Sequence, residues 1–562
     1  MPRLSGAQII IKQLERHGIR IVAGIPGGAN LPLYDALAGS TVIRHVLARH
    51  EQGAGFIAQG MARATGRPAV CFATSGPGST NVLTALADAY LDSIPLVCVT
   101  GQVPRSLLGT DAFQEVDTYG MSMPVTKHNY LARSAAELLT IVPRAFHLAG
   151  SGRPGPVLID VPKDVQLEMA KFADWPELDP GTAVDHQPDG REAVGQAAAM
   201  INQALRPVLY LGGGVIHAGA AAEARQLAEH AAIPTVMTLM GLGILPAEHP
   251  LSLGMLGMHA CRATNLAMDE CDLLIAAGVR FDDRATGRLN AFCPKAKVIH
   301  VDIDASEIGK LRTADAGITG DARLAFAGLL PLVEPRQRRQ WNGRIRQLQQ
   351  DFPCFPPSCF APNKPFHLIR RVAELAGPDA LVCTDVGKHQ MWVAQSYPLT
   401  APRQLLTSGG LGTMGFGVPA AIGASLAFPD RPVVCFSGDG SLQMNIQELA
   451  TAVEQRVPVK IVVLNNQSLG LVRQQQHLFC ESRYFATSYG IAVDFAAIAR
   501  GFGMRAFDLN GDADPDRLLR EAMAAPGPCL INAPIGLDEE VTPMVPPGAA
   551  NTTMIGDGYA SN

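Results

Sequence analysis

Apolar and polar positions follow two rhythms along this chain. Short runs of apolar, often β-branched residues alternate with longer stretches in which apolar residues recur every three or four positions. The runs predict strands buried on both faces, the stretches predict amphipathic helices, and their regular alternation predicts parallel α/β sheets. From about 4 to 170, Gln8 to His17 reads as a helix stopped by Gly18, Ile19 to Ile25 as a strand and Pro26-Gly27-Gly28 as a turn. Val42 to Ala48 is a predicted strand, Glu51 to Thr65 a helix, Pro68 to Ala73 a strand, Asn81 to Tyr90 a helix and Pro95 to Thr100 a strand. A polar, Pro-rich stretch from about 171 to 190 reads as a linker. A second α/β segment has predicted strands at Val208 to Leu211, Pro234 to Thr238, Asp272 to Ala277 and Val298 to Ile303. Gln337, Arg338, Arg339, Arg344 and Arg346 then form a basic run, expected as a solvated helix face, before the Pro-rich Phe352 to Pro365. A third segment fills about 366 to 540, and the first and third could share a fold.

Length agrees with that division, since 562 residues exceed a single core and about three domains is the default. A net charge of −5 gives no basic surface for nucleic acid. The 14 histidines form no H-x-x-H ligand set and the 11 cysteines no C-x-x-C pair. Cys71, Cys98, Cys383 and Cys435 sit in apolar runs where a thiol is simply a small apolar residue, so neither disulfides nor structural zinc are expected. Arg3, Lys12, Glu15 and Arg16 interrupt any signal core, and no apolar run is long enough to span a membrane. The expectation is a soluble cytoplasmic protein.

The most informative chemistry lies between Gly438 and Asn466. Pro432 to Phe436 is a strand run, Gly438-Asp439-Gly440-Ser441 a tight turn, and Ile446, Leu449, Ala450 and Val453 mark one face of a helix. Val459 to Leu464 is again a buried strand, ending at Asn465-Asn466. This βαβ pattern puts Asp439 and Asn466 at the C-terminal ends of neighbouring parallel strands, the edge where ligands bind. A carboxylate and a carboxamide there are hard oxygen ligands for Mg²⁺, which would leave positions for diphosphate oxygens, and the glycines let backbone N–H groups approach that diphosphate. Gly-Asp-Gly by itself is a common turn; the strands on both sides and the closing Asn-Asn give it meaning. The whole pattern resembles the thiamine diphosphate motif, which implies Mg²⁺ held by Asp439, Asn466 and the carbonyl of Ser468.

Thiamine diphosphate acts as an ylid, formed when its aminopyrimidine serves as base. It does so as its imino tautomer, which is favoured by a carboxylate hydrogen-bonded to the pyrimidine ring nitrogen. Glu51, in Arg49-His50-Glu51-Gln52-Gly53-Ala54, is the candidate; on position alone, an acidic residue in a first helical turn is explained by the helix dipole. The string resembles the catalytic-Glu motif of the acetohydroxyacid (acetolactate) synthase branch of the thiamine diphosphate enzymes. Further strings carry the resemblance over nearly the whole chain. These are Pro26-Gly27-Gly28-Ala29, Thr74 to Gly78, Asp111 to Glu115, Ser151 to Pro156, Asp160 to Asp164 and Ser408 to Gly415.

The resemblance implies an α/β fold of three doubly wound parallel-sheet domains. They are a pyrimidine-binding domain at 1–170, a central FAD-binding-like domain at 190–332 and a diphosphate/Mg²⁺ domain at 366–540, with a tail at 541–562. It implies that Phe113, Gln114 and Lys163 shape the substrate pocket. Gly387, His389, Gly412, Met414, Gly470 and Leu471 would join Gly438 to Ser441 around the cofactor, the Met holding it bent. FAD, structural and not redox-active, would be held by Arg153, Gly212, Gly213, Gly214, Met258, His259, Arg280, Asp282, Asp302, Ile303 and Asp321. Taken alone, Asp282, Asp283 and Arg284 read as a surface ion-pair cluster.

The implied reaction decarboxylates pyruvate and condenses the two-carbon unit with a second pyruvate, or with 2-oxobutyrate, as in branched-chain amino acid biosynthesis. Arg284 would pair with the acceptor carboxylate, and Val472 and Gln475 would flank the acceptor. Because Glu51 and Asp439 would come from different copies, a homodimer or homotetramer is implied, with room for a regulatory small subunit. Gln475 stands where biosynthetic relatives carry Trp, so preference for pyruvate is expected over 2-oxobutyrate. Other departures are Ile25, Ala260 and Lys388, which would put a charge near the cofactor. A simple 2-oxo acid decarboxylase, a flavin oxidase and a non-catalytic paralogue remain alternatives, and Val545 to Ala549 reads either as a lid or as a plain tail.

Overall fold

The computed structural model describes residues 1–177, 190–355, 357–362 and 364–556; most of the predicted linker, and the last six positions of the predicted tail, lie outside the described residues. In the first segment the strands are β1 (Arg3–Ser5), β2 (Ile21–Gly24), β3 (Arg44–Leu47), β4 (Ala69–Ala73), β5 (Leu96–Gln102), β6 (His128–Leu131), β7 (Pro156–Pro162) and β8 (Met169–Lys171). Six of them form a parallel sheet in the order β3-β2-β4-β5-β7-β6, while β1 and β8 pair antiparallel as a separate ribbon. The middle segment has β9 (Pro207–Leu211), β10 (Thr235–Met237), β11 (Ser252–Met255), β12 (Leu273–Ala277), β13 (Lys297–Asp302) and β14 (Ala316–Thr319), all parallel in the order β11-β10-β9-β12-β13-β14. Third-second-first-fourth-fifth-sixth is the dinucleotide-fold order. The last segment has β15 (Leu381–Thr384), β16 (Leu405–Leu406), β17 (Val433–Gly438), β18 (Val459–Asn465), β19 (Arg505–Asp508) and β20 (Cys529–Pro534) in the order β16-β15-β17-β18-β20-β19, again parallel. Its second-first-third-fourth-sixth-fifth order repeats that of the first sheet, so the two share a topology.

Central strands are buried on both faces, which is why they read as apolar runs and not as alternation. Cys71 sits opposite Cys98, and Cys383 opposite Cys435, as small apolar residues of the core. The expectation of no disulfide is corrected at one place. Cys261 and Cys354 are joined, their Cα atoms 4.9 Å apart, tying the middle domain to the segment that leads out of it. Cys261 opens helix Arg262–Glu270 and its partner lies 93 residues on, a pairing that local spacing does not reveal.

Three other expectations change. The single helix after Asp439 is two, Asp439–Met444 and Glu448–Gln455, broken where Asn445 donates its amide to the Gly415 carbonyl (2.9 Å). The basic run is not simply solvated. Arg338 donates to the carbonyls of Ala231, Ile201 and Ala204, and Arg344 forks onto Glu270. Residues 545–551 are packed against the middle domain: Val545 N–H donates to Met258 C=O (2.8 Å), and the Asn551 amide donates to Ala285 C=O (2.9 Å).

The first and third domains meet through helices Glu51–Thr65 and Gly417–Ala427. A methyl on Gly60 would lie 2.1 Å from the Ala420 carbonyl, and one on Gly423 would lie 2.0 Å from that of Ile57. The helices touch backbone to backbone, which only glycine permits.

Thiol alkylation in denaturant tests the cysteine pairing: nine of the 11 cysteines should react before reduction and all 11 after it. Eleven reactive thiols before reduction would contradict the bond.

Candidate functional site

Each sheet presents its chemistry at the C-terminal ends of its strands. In the first domain, β2 leads into Pro26-Gly27-Gly28-Ala29, where Asn30 Oδ1 accepts from the Gly27 N–H (2.7 Å). β3 leads to Glu51, the first residue of its helix, and its carboxylate accepts from the Asn81 amide (2.9 Å). Glu51 is half-buried and faces Gly78, where an added Cβ would come within 3.4 Å of it. The helix start is fixed from another domain: Glu448 Oε1 accepts from the N–H groups of Arg49 (2.9 Å) and His50 (3.1 Å). Gln114, at φ +60°, backs Gly76, while Phe113 beside it is 87% exposed. Lys163 opens the short helix after β7.

In the third domain, β17 and β18 deliver Asp439 and Asn466 side by side. Asp439 Oδ1 accepts from Gly440 N–H (2.9 Å) and Oδ2 from Ser468 N–H (3.0 Å). Burial raises the Asp439 carboxyl to about 6, although these backbone N–H groups oppose the shift. Asn466 lies against Gly470, where a Cβ would fall 2.5 Å from its amide nitrogen. Ser441 donates to the Val386 carbonyl (2.6 Å), and Met414 approaches Gly440. His389 packs its ring against Gly387 and Gly438. Burial lowers it to about 3, so it is neutral, and its buried Nε2 has no hydrogen-bond partner. A neutral imidazole nitrogen without a partner, a buried carboxylate and a carboxamide are a donor set that fits a diphosphate with Mg²⁺.

Lys388 does not aim its charge at that set. Its stem packs against Gly470 and its ammonium donates to the Glu539 carbonyl (2.6 Å), burial lowering it to about 8.

The middle domain opens onto a cleft of about 1190 Å³, large for a single small ligand. Gly213 and Gly214 follow β9, Met258 and His259 follow β11, and Arg280 and Asp282 follow β12; all line it. Asp302, Ile303 and Asp321 close the far side, and Arg153 reaches in from the first domain, paired with Glu307 (3.0 Å). Gly212 does not line the cleft; it packs against the Gly278 carbonyl, where a Cβ would meet it at 2.2 Å. His259, lowered by burial to about 4, leaves Nδ1 unpartnered, and so does the Thr238 hydroxyl. Both line the cleft, so its walls carry unmet hydrogen-bonding capacity suited to a polar ligand such as a dinucleotide. Gly412, Leu471 and Gln475 line the same cleft from the third domain, and Arg284 does so at its mouth. Val472, next along the helix, is exposed.

Among the described residues, one chain thus joins the predicted flavin set to part of the third-domain set. Glu51, Phe113, Gln114, Lys163, Asp439 and Asn466 do not line that cleft. Sequence reasoning missed Asn81 and Glu448, which hold Glu51 and its helix start. It also missed Asp385, whose carboxylate accepts from Gly415 N–H (2.8 Å) and orders the turn beside Met414. Asp385, one residue beyond β15 like Asp439 beyond β17, carried a positional signal; Asn81 and Glu448 carried none.

Comparison with known proteins agrees with this geometry. Residues 4–121, 194–329 and 385–533 match the N-terminal, central and C-terminal domain models of thiamine pyrophosphate enzymes. The chain is 58% identical to the acetolactate synthase isozyme 1 large subunit of Escherichia coli, covering 99% of this chain and 98% of that one. It is 46% identical to the isozyme 2 large subunit of the same organism, over 98% and 99%, and to the acetolactate synthase large subunit of Parasynechococcus marenigrum, over 98% and 91%. With three sheets in this order and whole-length identity at this level, the chain belongs to the acetolactate synthase large-subunit family of thiamine pyrophosphate enzymes.

Proposed function

We propose that this chain is the catalytic subunit of an acetolactate synthase, joining the two-carbon unit of pyruvate to a second 2-oxo acid. The observation that carries this reading is the pairing of a buried, metal-ready carboxylate at Asp439 with a separately held carboxylate at Glu51. When bound, thiamine diphosphate supplies the nucleophilic carbon and electron sink that decarboxylation of a 2-oxo acid requires. Asp439, Asn466 and the Ser468 carbonyl would hold Mg²⁺, and His389, whose buried Nε2 has no partner within the chain, would lie beside the diphosphate. Glu51, kept in place by Asn81, holds a proton at the pyrimidine ring nitrogen. Neither Glu51 nor Asp439 lines the large cleft of one chain, and on this reading the working site forms between two copies, in a homodimer or a tetramer. Exposed Phe113, with Gln114 and Lys163, then closes the pocket of the other copy. FAD would occupy the middle-domain cleft as a structural ligand. The relatives' designation as large subunits supports a regulatory small subunit as partner.

Arg284 at the cleft mouth binds the acceptor carboxylate, and Gln475 meets its side chain. A polar amide there gives little apolar contact to the extra methylene of 2-oxobutyrate, so pyruvate is the favoured acceptor. No helix among the described residues is long and apolar enough to cross a membrane.

Three outcomes follow. Glu51→Gln should lower carboligation by about 10²–10⁴-fold, the usual range for a positioned acid–base group, while the protein still binds thiamine diphosphate by calorimetry. Undiminished turnover would remove Glu51 from the chemistry. Gln475→Trp should raise the share of 2-aceto-2-hydroxybutyrate from equal acceptor concentrations by about fivefold, the worth of one methylene contact of about 1 kcal/mol; an unchanged product ratio would assign selectivity elsewhere. The third concerns pH. Asp439 must ionise to hold Mg²⁺ and is raised to about 6, so Mg²⁺-dependent cofactor binding should be full above pH 7 and weaken as pH falls through 6. Binding that is flat from pH 7 to 5 contradicts the assignment.

A further inference from the structure

The three domains meet at one buried charge cluster. Arg63, near the end of the helix that Glu51 begins, contacts Asp88 Oδ2 and Asp92 Oδ2, each at 2.9 Å. All three side chains are almost wholly buried. Arg63 also donates to the Thr407 carbonyl (2.8 Å). Asp88 Oδ1 accepts from the hydroxyls of Thr413 (3.0 Å) and Ser408. Asp92 accepts from two successive backbone N–H groups, Gly409 (3.0 Å) and Gly410 (2.7 Å). Ser408 Oγ in turn accepts from Thr413 N–H (2.8 Å). Arg403 spans the same junction, donating to the carbonyls of Arg63 (3.2 Å) and Ile216 (3.1 Å), the latter in the helix after the middle domain's glycine turn.

Two carboxylates and one guanidinium, taken fully out of water, are a poor choice for stability, because apolar residues of like volume serve as well. What they supply is direction. Thr407, Ser408, Gly409, Gly410 and Thr413 all bond to the cluster, and Ser408 to Gly412 form a wall of the cleft. Gly410 has no room for a side chain there, since a Cβ would meet Asp92 Oδ1 at 2.9 Å. The shape of that wall is therefore written by residues of another domain.

We propose that Arg63, Asp88 and Asp92 are positioning residues that hold the 407–413 segment, which runs on to Met414 beside Gly440 and the Asp439 strand end, in the form that receives thiamine diphosphate, and so set cofactor affinity more than turnover. The proposal rests on the thiamine diphosphate reading above.

The test uses the full chain and titrates thiamine diphosphate, at saturating Mg²⁺, into wild type, Asp92→Asn, Arg63→Lys and Thr413→Val, reading the dissociation constant by calorimetry. For Asp92→Asn we expect the constant to rise about tenfold, the effect of one lost hydrogen bond to a charged group, with kcat at saturating cofactor within about threefold of wild type. Arg63→Lys, which keeps the charge, should fall between the two. Arg338→Lys is the control for a half-buried structural arginine remote from the cleft; it should lower the melting temperature without changing the constant. Wild-type affinity in folded Asp92→Asn, or an equal rise in Arg338→Lys, overturns the proposal. Should Asp92→Asn not fold, Thr413→Val decides by the same criterion, with a rise supporting the proposal and wild-type affinity overturning it. A wild-type chain that binds no thiamine diphosphate overturns the cofactor reading itself, an outcome distinct from the others.

Discussion

Backbone contact between two helices is the constraint on which the rest depends. Gly60 and Gly423 let helices 51–65 and 417–427 approach until a single methyl would strike a carbonyl. Such contact has little freedom to slide, because packed surfaces at this density tolerate almost no added volume. It fixes the first sheet against the third. Phe56 and Phe416 add an edge-to-face contact at 5.3 Å, and Arg63 lies over the same Phe416 ring. From one helix the structure thus places Glu51 at one end and, about 18 Å along the axis, the cluster that shapes the 407–413 wall.

Burial sets the protonation of the site as much as charge pairing does. Asp439, Asp385 and Asp302 are each raised to about 6, with burial the largest cause. His259 and His389 are lowered to about 4 and 3 for the same reason. These groups stand at the C-terminal edges of their sheets, where the chain has removed water but left polar atoms unmatched. That combination is costly for an apo protein and useful for a ligand site, since a bound cation or phosphate supplies what the fold withholds.

Much of the fold was legible beforehand. Helix 51–65 begins and ends where its pattern predicts, and the strands at 69–73, 207–211 and 459–465 lie within one residue of expectation, because apolar runs and capping glycines are local signals. The strand ending at Gly438 was equally legible, but Gly438-Asp439-Gly440-Ser441, expected as a tight turn, is the strand's last residue followed directly by helix Asp439–Met444. The broken helix at Asn445 was not, since its cause is the carbonyl of Gly415, 30 residues away.

By itself the sequence determined most of the elements and the parallel α/β class, for each depends on residues within one or two turns of one another. Tertiary structure alone decided which edges face which. It joined Cys261 to Cys354, brought Glu448 to the start of the Glu51 helix and set Asp88 and Asp92 against a loop some 320 residues on. Such pairings depend on how whole sheets pack, and packing selects partners by position in space, which no local periodicity records.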